Sequence, residues 1–215
     1  IKSIMEILVV ILSVILGWLF GLLTQPFSSR IERKYRQKDS KYAIFSELKN
    51  LAIRLTFTFF KIQKHLGTID KQSLQWALKM CQKYDGNNNQ TLISSMQEIL
   101  KKPEKEFQYE INYFKAAENI SLSIKTFSLP LTDSLLENIS IFDSEFQRKI
   151  LEIRVQIDML NQEIENSKGY FYLTFNPESL SVNKDILCVN MKSSYDIIQE
   201  KCRYITGLID EIINS

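Results

Sequence analysis

Residues 143–167 read DSEFQRKILEIRVQIDMLNQEIENS. Phe146, Ile150, Ile153, Ile157, Leu160 and Ile164 fall at spacings of 4, 3, 4, 3 and 4, with charged and amide side chains between them. This is a heptad seam sustained over nearly three heptads, the pattern of a helix that buries one stripe against another helix. Asp143 or Ser144 stands where a cap is needed, and Gly169 is a suitable stop. The spacing predicts a long helix from about Asp143 to Ser167.

Working outward, Leu187, Met191, Ile198, Cys202, Ile205, Ile209 and Ile212 repeat at 4, 7, 4, 3, 4 and 3. They predict a second long helix that opens at Asn176-Pro177 and runs to about Ile213. Between the two, residues 170–175 (YFYLTF) are aromatic enough for a strand. An isolated strand is marginal, so they are read as a packed connection able to line a ligand pocket or a subunit contact. Toward the N-terminus, a short helix covers about 133–141 and Leu129-Pro130 is a break. A third long helix spans 103–127, with Phe107, Ile111, Phe114, Ala117, Ile120 and Ile124 on one face and Pro103 in its first turn. Short helices are expected at 91–101 and at 71–84, the latter capped by Asp70. Asp85-Gly86-Asn87-Asn88-Asn89 separates them as a loop. Finally Ser29-Arg30-Ile31-Glu32 fits a capping box. It opens a helix to Leu66 whose apolar face is Ile31, Tyr35, Tyr42, Phe45, Leu48, Ala52, Leu55, Phe59, Ile62 and Leu66, with Gly67 as the stop.

Four long helices with short connections predict an all-α antiparallel bundle, the short helices between 70 and 101 forming a lobe. Composition agrees. Six glycines and four prolines in 215 residues are too few for the turns of a many-stranded sandwich or of an α/β enzyme with Gly-rich loops.

Residues 7–23, ILVVILSVILGWLFGLL, carry no charge. About 17 apolar residues are the least that cross a hydrocarbon core, so the run is read as one N-terminal transmembrane helix. Lys2 and Glu6 precede it. Residues 28–41 follow it with Arg30, Arg33, Lys34, Arg36, Lys38 and Lys41 against Glu32 and Asp39, a net +4. The excess of cations places that side in the cytoplasm and the N-terminus outside. The expected organisation is therefore an anchor over 1–27, a basic membrane-surface segment over 28–41 that meets anionic lipids, and a cytoplasmic helical bundle over 42–215. Pro26, lacking a backbone donor, is the expected hinge. The expected location is the inner (plasma) membrane, with a single pass.

The sequence carries little chemistry. It holds one histidine, His65, and three cysteines, Cys81, Cys188 and Cys202, with no C-x-x-C pair. Phosphate-loop, dinucleotide, zincin and G-x-S-x-G patterns are missing. No catalytic residue, metal ligand or cofactor is assigned, and a non-enzymatic protein is expected. Cys188 and Cys202, fourteen apart, share a helix face as small hydrophobes. His65 is read as a solvated helix end. Acidic groups such as Glu104, Glu106 and Glu110 are read as solvent faces.

Ser13, Gly17 and Gly21 recur every four residues, and such a small-residue stripe lets helix backbones approach. The partner expected is another copy of the chain. Two readings follow. One is a homo-oligomeric membrane effector or ion channel gated by its helical domain; the other is a membrane-tethered adaptor that binds a protein partner. In layout, an N-terminal anchor before a helical domain, the chain resembles small single-pass membrane effectors of bacterial anti-phage defence. That resemblance implies homo-oligomers, tetramers among them, and regulation by a nucleotide or oligonucleotide.

Overall fold

The computed structural model describes the backbone of residues 2–84, 90–114, 122–175 and 184–214. It describes their side chains except those of 2–10, 22–29, 114, 137–138 and 184. The fold is all-α. Among the described residues there are seven α-helices, α1 (Lys2–Leu66), α2 (Lys71–Tyr84), α3 (Gln90–Lys101), α4 (Glu104–Phe114), α5 (Pro130–Leu135), α6 (Ser144–Leu173) and α7 (Lys184–Asn214). A 3-10 helix covers Leu136–Ile141, and no strand occurs among these residues. The chain divides into two compact units, Ile1–Ala43 and Ile44–Ser215.

The larger unit is built on the two heptad stripes. Every seam residue of α6 from Phe146 to Ile164 is buried, and so are Met191, Tyr195, Ile198, Cys202, Ile205, Ile209 and Ile212 of α7. Tyr204 Oη donates to Glu152 Oε1 at 2.9 Å and Lys201 Nζ to Gln156 Oε1 at 3.4 Å. Residue numbers rise along one helix as they fall along the other, so the pair is antiparallel. The third wall is the end of α1, through Ile44, Leu48, Leu51, Ala52, Leu55, Phe59 and Ile62. Its direction follows from Phe45 against Phe146 at 6.0 Å and His65 against Tyr195 at 5.6 Å. Each large side chain buried here contributes about 1.5–3 kcal/mol.

The ends of these elements follow local rules. Gly67 has φ 68°, its N–H bonds Lys64 O and the Thr68 N–H bonds Gln63 O. This is the Schellman closure that a glycine permits. Asp70 Oδ1 accepts from Ser73 N–H at 2.6 Å and Asp143 Oδ1 from Phe146 N–H at 2.9 Å, each satisfying an orphan amide of the first turn. Helices α2, α3 and α4 share a second small core of Ile69, Leu74, Ala77, Met96, Phe107 and Ile111. Trp76 touches both cores. Its ring meets Phe59 edge-on at 4.9 Å, and the Arg203 guanidinium lies 5.4 and 5.3 Å from the Phe59 and Trp76 ring centres. Lys83 and Tyr84, ending α2, both bond Asp210 of α7.

Several expectations are corrected. The capping box at Ser29 opens nothing, because α1 is already helical before it. The stripe drawn from Ile31 fails at its start: Ile31, Tyr35 and Tyr42 are 52%, 65% and 63% exposed, and the core begins at Ile44. Gly169 and the aromatic run 170–173 lie inside α6, which extends to Leu173. The helix expected over 103–127 ends at Phe114 among the described residues, and 122–129 is irregular. Ala117, Ile120, the loop 85–89 and the cap at Asn176-Pro177 lie outside the described residues.

Residues 122–129 form an irregular strap against the bundle. Ile124, Phe127 and Leu129 are buried. The backbone bonds that a helix or sheet would have made go to side chains instead. Tyr195 Oη accepts from Leu122 N–H at 3.0 Å. The Asn161 amide both accepts from Phe127 N–H and donates to Phe127 O, each at 2.8 Å. Arg54 reaches Thr126 O at 3.4 Å and covers the Phe127 ring. The Glu47 carboxylate then caps α5, accepting from Leu131 N–H, Thr132 N–H and the Thr132 hydroxyl.

Candidate assembly surface

The N-terminal segment of α1 has no polar face between Ile11 and Gly21, since Ser13 is its only polar side chain. All eleven positions are exposed, and Ile11, Leu12, Val14, Ile15, Leu16, Trp18, Leu19 and Phe20 each show 45–68% of their surface. A helix that is apolar all round is ordinarily buried. An exposed patch of this kind marks a contact with something else.

The expected membrane anchor is corrected. Among the described residues, no helix is long and apolar enough to cross a membrane. Of the run 7–23, the described side chains are 11–21. The single-pass inner-membrane location, the gated channel and the membrane-tethered adaptor all depended on that span and fall with it. So does the layout on which the resemblance to anti-phage effectors rested.

Ser13, Gly17 and Gly21 lie on one stripe of this exposed helix. A Cβ built on Gly17 or on Gly21 meets no atom within 4 Å, so the surface over both glycines is open. Glycine inside a helix costs about 1 kcal/mol relative to alanine. Two of them on one open stripe are accounted for if another backbone packs closely there. Arg30, Arg33, Lys34, Arg36 and Lys38 are exposed and Lys41 is half-buried. The hinge expected at Pro26 falls on a side chain outside the described residues; the backbone there is helical.

The larger unit offers little for chemistry. Among the described residues, no group of three or more histidine, cysteine or acidic side chains could hold a metal ion. Cys202 is enclosed in the core, where burial pushes its thiol well above the usual range; Cys81 is buried and Cys188 half-buried. His65 stands edge-on to Tyr195, and partial burial holds its imidazole below the ordinary value. It is therefore a packing residue of the bundle and not a solvated helix end. Of the acidic group on α4, Glu104 pairs with Lys71 and Glu110 with Lys102. Lys102 and Glu110 line a shallow groove of about 320 Å³ with Lys105, Glu106 and Tyr109. That pair's charges are spent on one another.

Compared with protein-family models, with curated proteins and with solved structures, the chain matches none.

Proposed function

We propose that the chain is a non-enzymatic assembly protein whose N-terminal helix associates with the same helix of further copies. One observation carries the reading: eight large apolar side chains within residues 11–21 are exposed on every side of a helix. Burying that surface stabilises an assembly by about 25 cal/mol per Å², against an association cost of several kcal/mol. Pairing along one stripe would leave the other sides uncovered. Full coverage needs more than one neighbour, so the assembly is larger than a dimer, and tetramers satisfy the requirement. The 44–215 unit is then the body that each copy presents to a protein partner. Leu151, Val155 and Met159, four apart on α6 and exposed, support that role.

Sedimentation of the purified full chain tests the self-association. The native chain should sediment as an oligomer larger than a dimer. Gly17→Leu together with Gly21→Leu keeps the segment apolar and helical but fills the open stripe, so the assembly should weaken or change stoichiometry. A native chain that stays monomeric at all accessible concentrations overturns the proposal.

A further inference from the structure

The cations of residues 30–41 are placed in a way that points to a ligand. Arg30, Lys34, Lys38 and Lys41 are spaced 4, 4 and 3, so they form one stripe of α1, with Arg33 beside it. Glu32 and Asp39 are seven apart and lie together on the opposite side of the helix. The two acids thus lie away from the four-cation stripe, while Arg36, four residues after Glu32, shares the acidic side. Among the described residues, none of Arg30, Arg33, Lys34 or Arg36 is in an ion pair of the smaller unit; Lys38 lies over the Tyr42 ring at 5.9 Å. From Arg30 to Lys41 the stripe covers about 16 Å of helix.

A second observation selects among polyanions. Tyr35 and Tyr42, also seven apart, stand on the flank of the basic stripe next to Lys38 and are 65% and 63% exposed. Cations that follow a phosphate backbone, with aromatic rings beside them on which bases stack, are the two parts of single-strand nucleic-acid binding. Paired bases in a duplex do not present their faces to such rings.

We infer that residues 30–42 bind single-stranded nucleic acid, the cations of the stripe holding the phosphodiester backbone and Tyr35 and Tyr42 stacking on unpaired bases. The reading does not rest on the self-association proposed above. An oligomer would multiply the stripe and raise the apparent affinity, whereas a monomer would still bind.

Fluorescence anisotropy of a labelled oligothymidylate with the full chain tests the inference, with the matching duplex and anionic phosphatidylserine vesicles as parallel arms. Single-strand binding should fall with salt at a logarithmic slope of about −3 for four neutralised phosphates. Lys34→Gln with Lys38→Gln keeps good helix formers and should make that slope shallower by about 0.7 per residue, while the arginine replacements at both positions should restore it. Tyr35→Ala and Tyr42→Ala should each weaken binding about fivefold or more at unchanged slope. Circular dichroism shows that each variant keeps its helix. The inference is overturned by no binding at low salt, by binding that the glutamine variants leave intact, by duplex binding as tight as single-strand binding with no tyrosine effect, or by binding to vesicles alone.

Discussion

Residues 11–21 and 44–66 both lie in α1 and both are rich in large apolar side chains, yet their surroundings are opposite. From Ile44 onward the buried positions recur every three or four residues, and Ser46, Lys49, Asn50, Arg54 and Lys61 occupy the outer face. From Ile11 to Gly21 every position is exposed and there is no outer polar face at all. The first pattern is that of a helix completed inside its own chain, because α6 and α7 carry matching stripes. The second has no matching stripe among the described residues. Apolar density says that a segment must be covered, and periodicity says by how many sides. A stripe one face wide is served by a bundle, and an all-round apolar helix only by enclosure.

The largest expected effect breaks this contrast directly. Leu55 is fully buried, so Leu55→Ala should destabilise the larger unit by about 2–5 kcal/mol, since the packed bundle collapses only partly into the void. Leu16 is 46% exposed, and Leu16→Ala should leave the same unfolding transition within about 0.5 kcal/mol. Its effect should appear in the oligomer distribution instead. Denaturant unfolding beside sedimentation reads both. Equal losses of stability from the two substitutions would mean that 11–21 is covered by its own chain, and the assembly reading would go.

A second contrast, between the α6 seam and the strap, separates what sequence can and cannot display. The seam is legible because its six apolar residues repeat within one element. The caps at Asp70 and Asp143 and the stop at Gly67 are legible for the same reason: each acts within a few residues of itself. The strap is not. Ile124 ends an apolar series from Phe107 in steps of three and four, so the spacing carries a helix through it. What holds 122–129 in place is a set of side chains remote in sequence. Asn161 is 34 residues from Phe127, Arg54 is 72 from Thr126 and Tyr195 is 73 from Leu122. Periodicity contains no information on such partners. It likewise gives the faces of Ile31, Tyr35 and Tyr42 but not the lack of anything packed on them. The small-residue stripe is visible in the sequence, whereas the basic stripe that carries the nucleic-acid inference becomes meaningful only once those tyrosines prove exposed.

Asn161→Ala sharpens this second contrast. It leaves Phe127 N–H and C=O without their partners, at a cost of about 1–3 kcal/mol. Asn161→Asp keeps the acceptor for Phe127 N–H but sets a carboxylate oxygen against Phe127 O, so it should not rescue. Amide hydrogen exchange at Phe127 should rise in both variants while the seam of α6 stays protected. Unchanged protection at Phe127 would show that burial of Ile124, Phe127 and Leu129 holds the strap without the amide.

The smallest expected effect concerns the one histidine. Partial burial against Tyr195 holds the His65 imidazole below its ordinary value of 6.5, because a charge there loses hydration. The folded state therefore binds this proton less readily than the unfolded chain. Above pH 6.5 both states are neutral at this position, and the contribution of His65 is at its full value. As pH falls below 6.5 the unfolded chain takes up the proton first, so stability declines until the folded value is also passed. Acid loss from Asp210 has a different origin. Burial raises the carboxyl, but hydrogen bonds from Lys83 and Tyr84 more than offset this and leave it below its ordinary value of 3.8. Its contribution is lost only as pH falls from 3.8 toward the lower folded value, outside the histidine window. His65→Phe keeps a ring against Tyr195 and removes the titration. Unfolding followed just below pH 6.5 should therefore flatten in this variant, with the acid limb near Asp210 unchanged. A slope that survives the substitution would assign the titration elsewhere and leave His65 with packing as its only contribution.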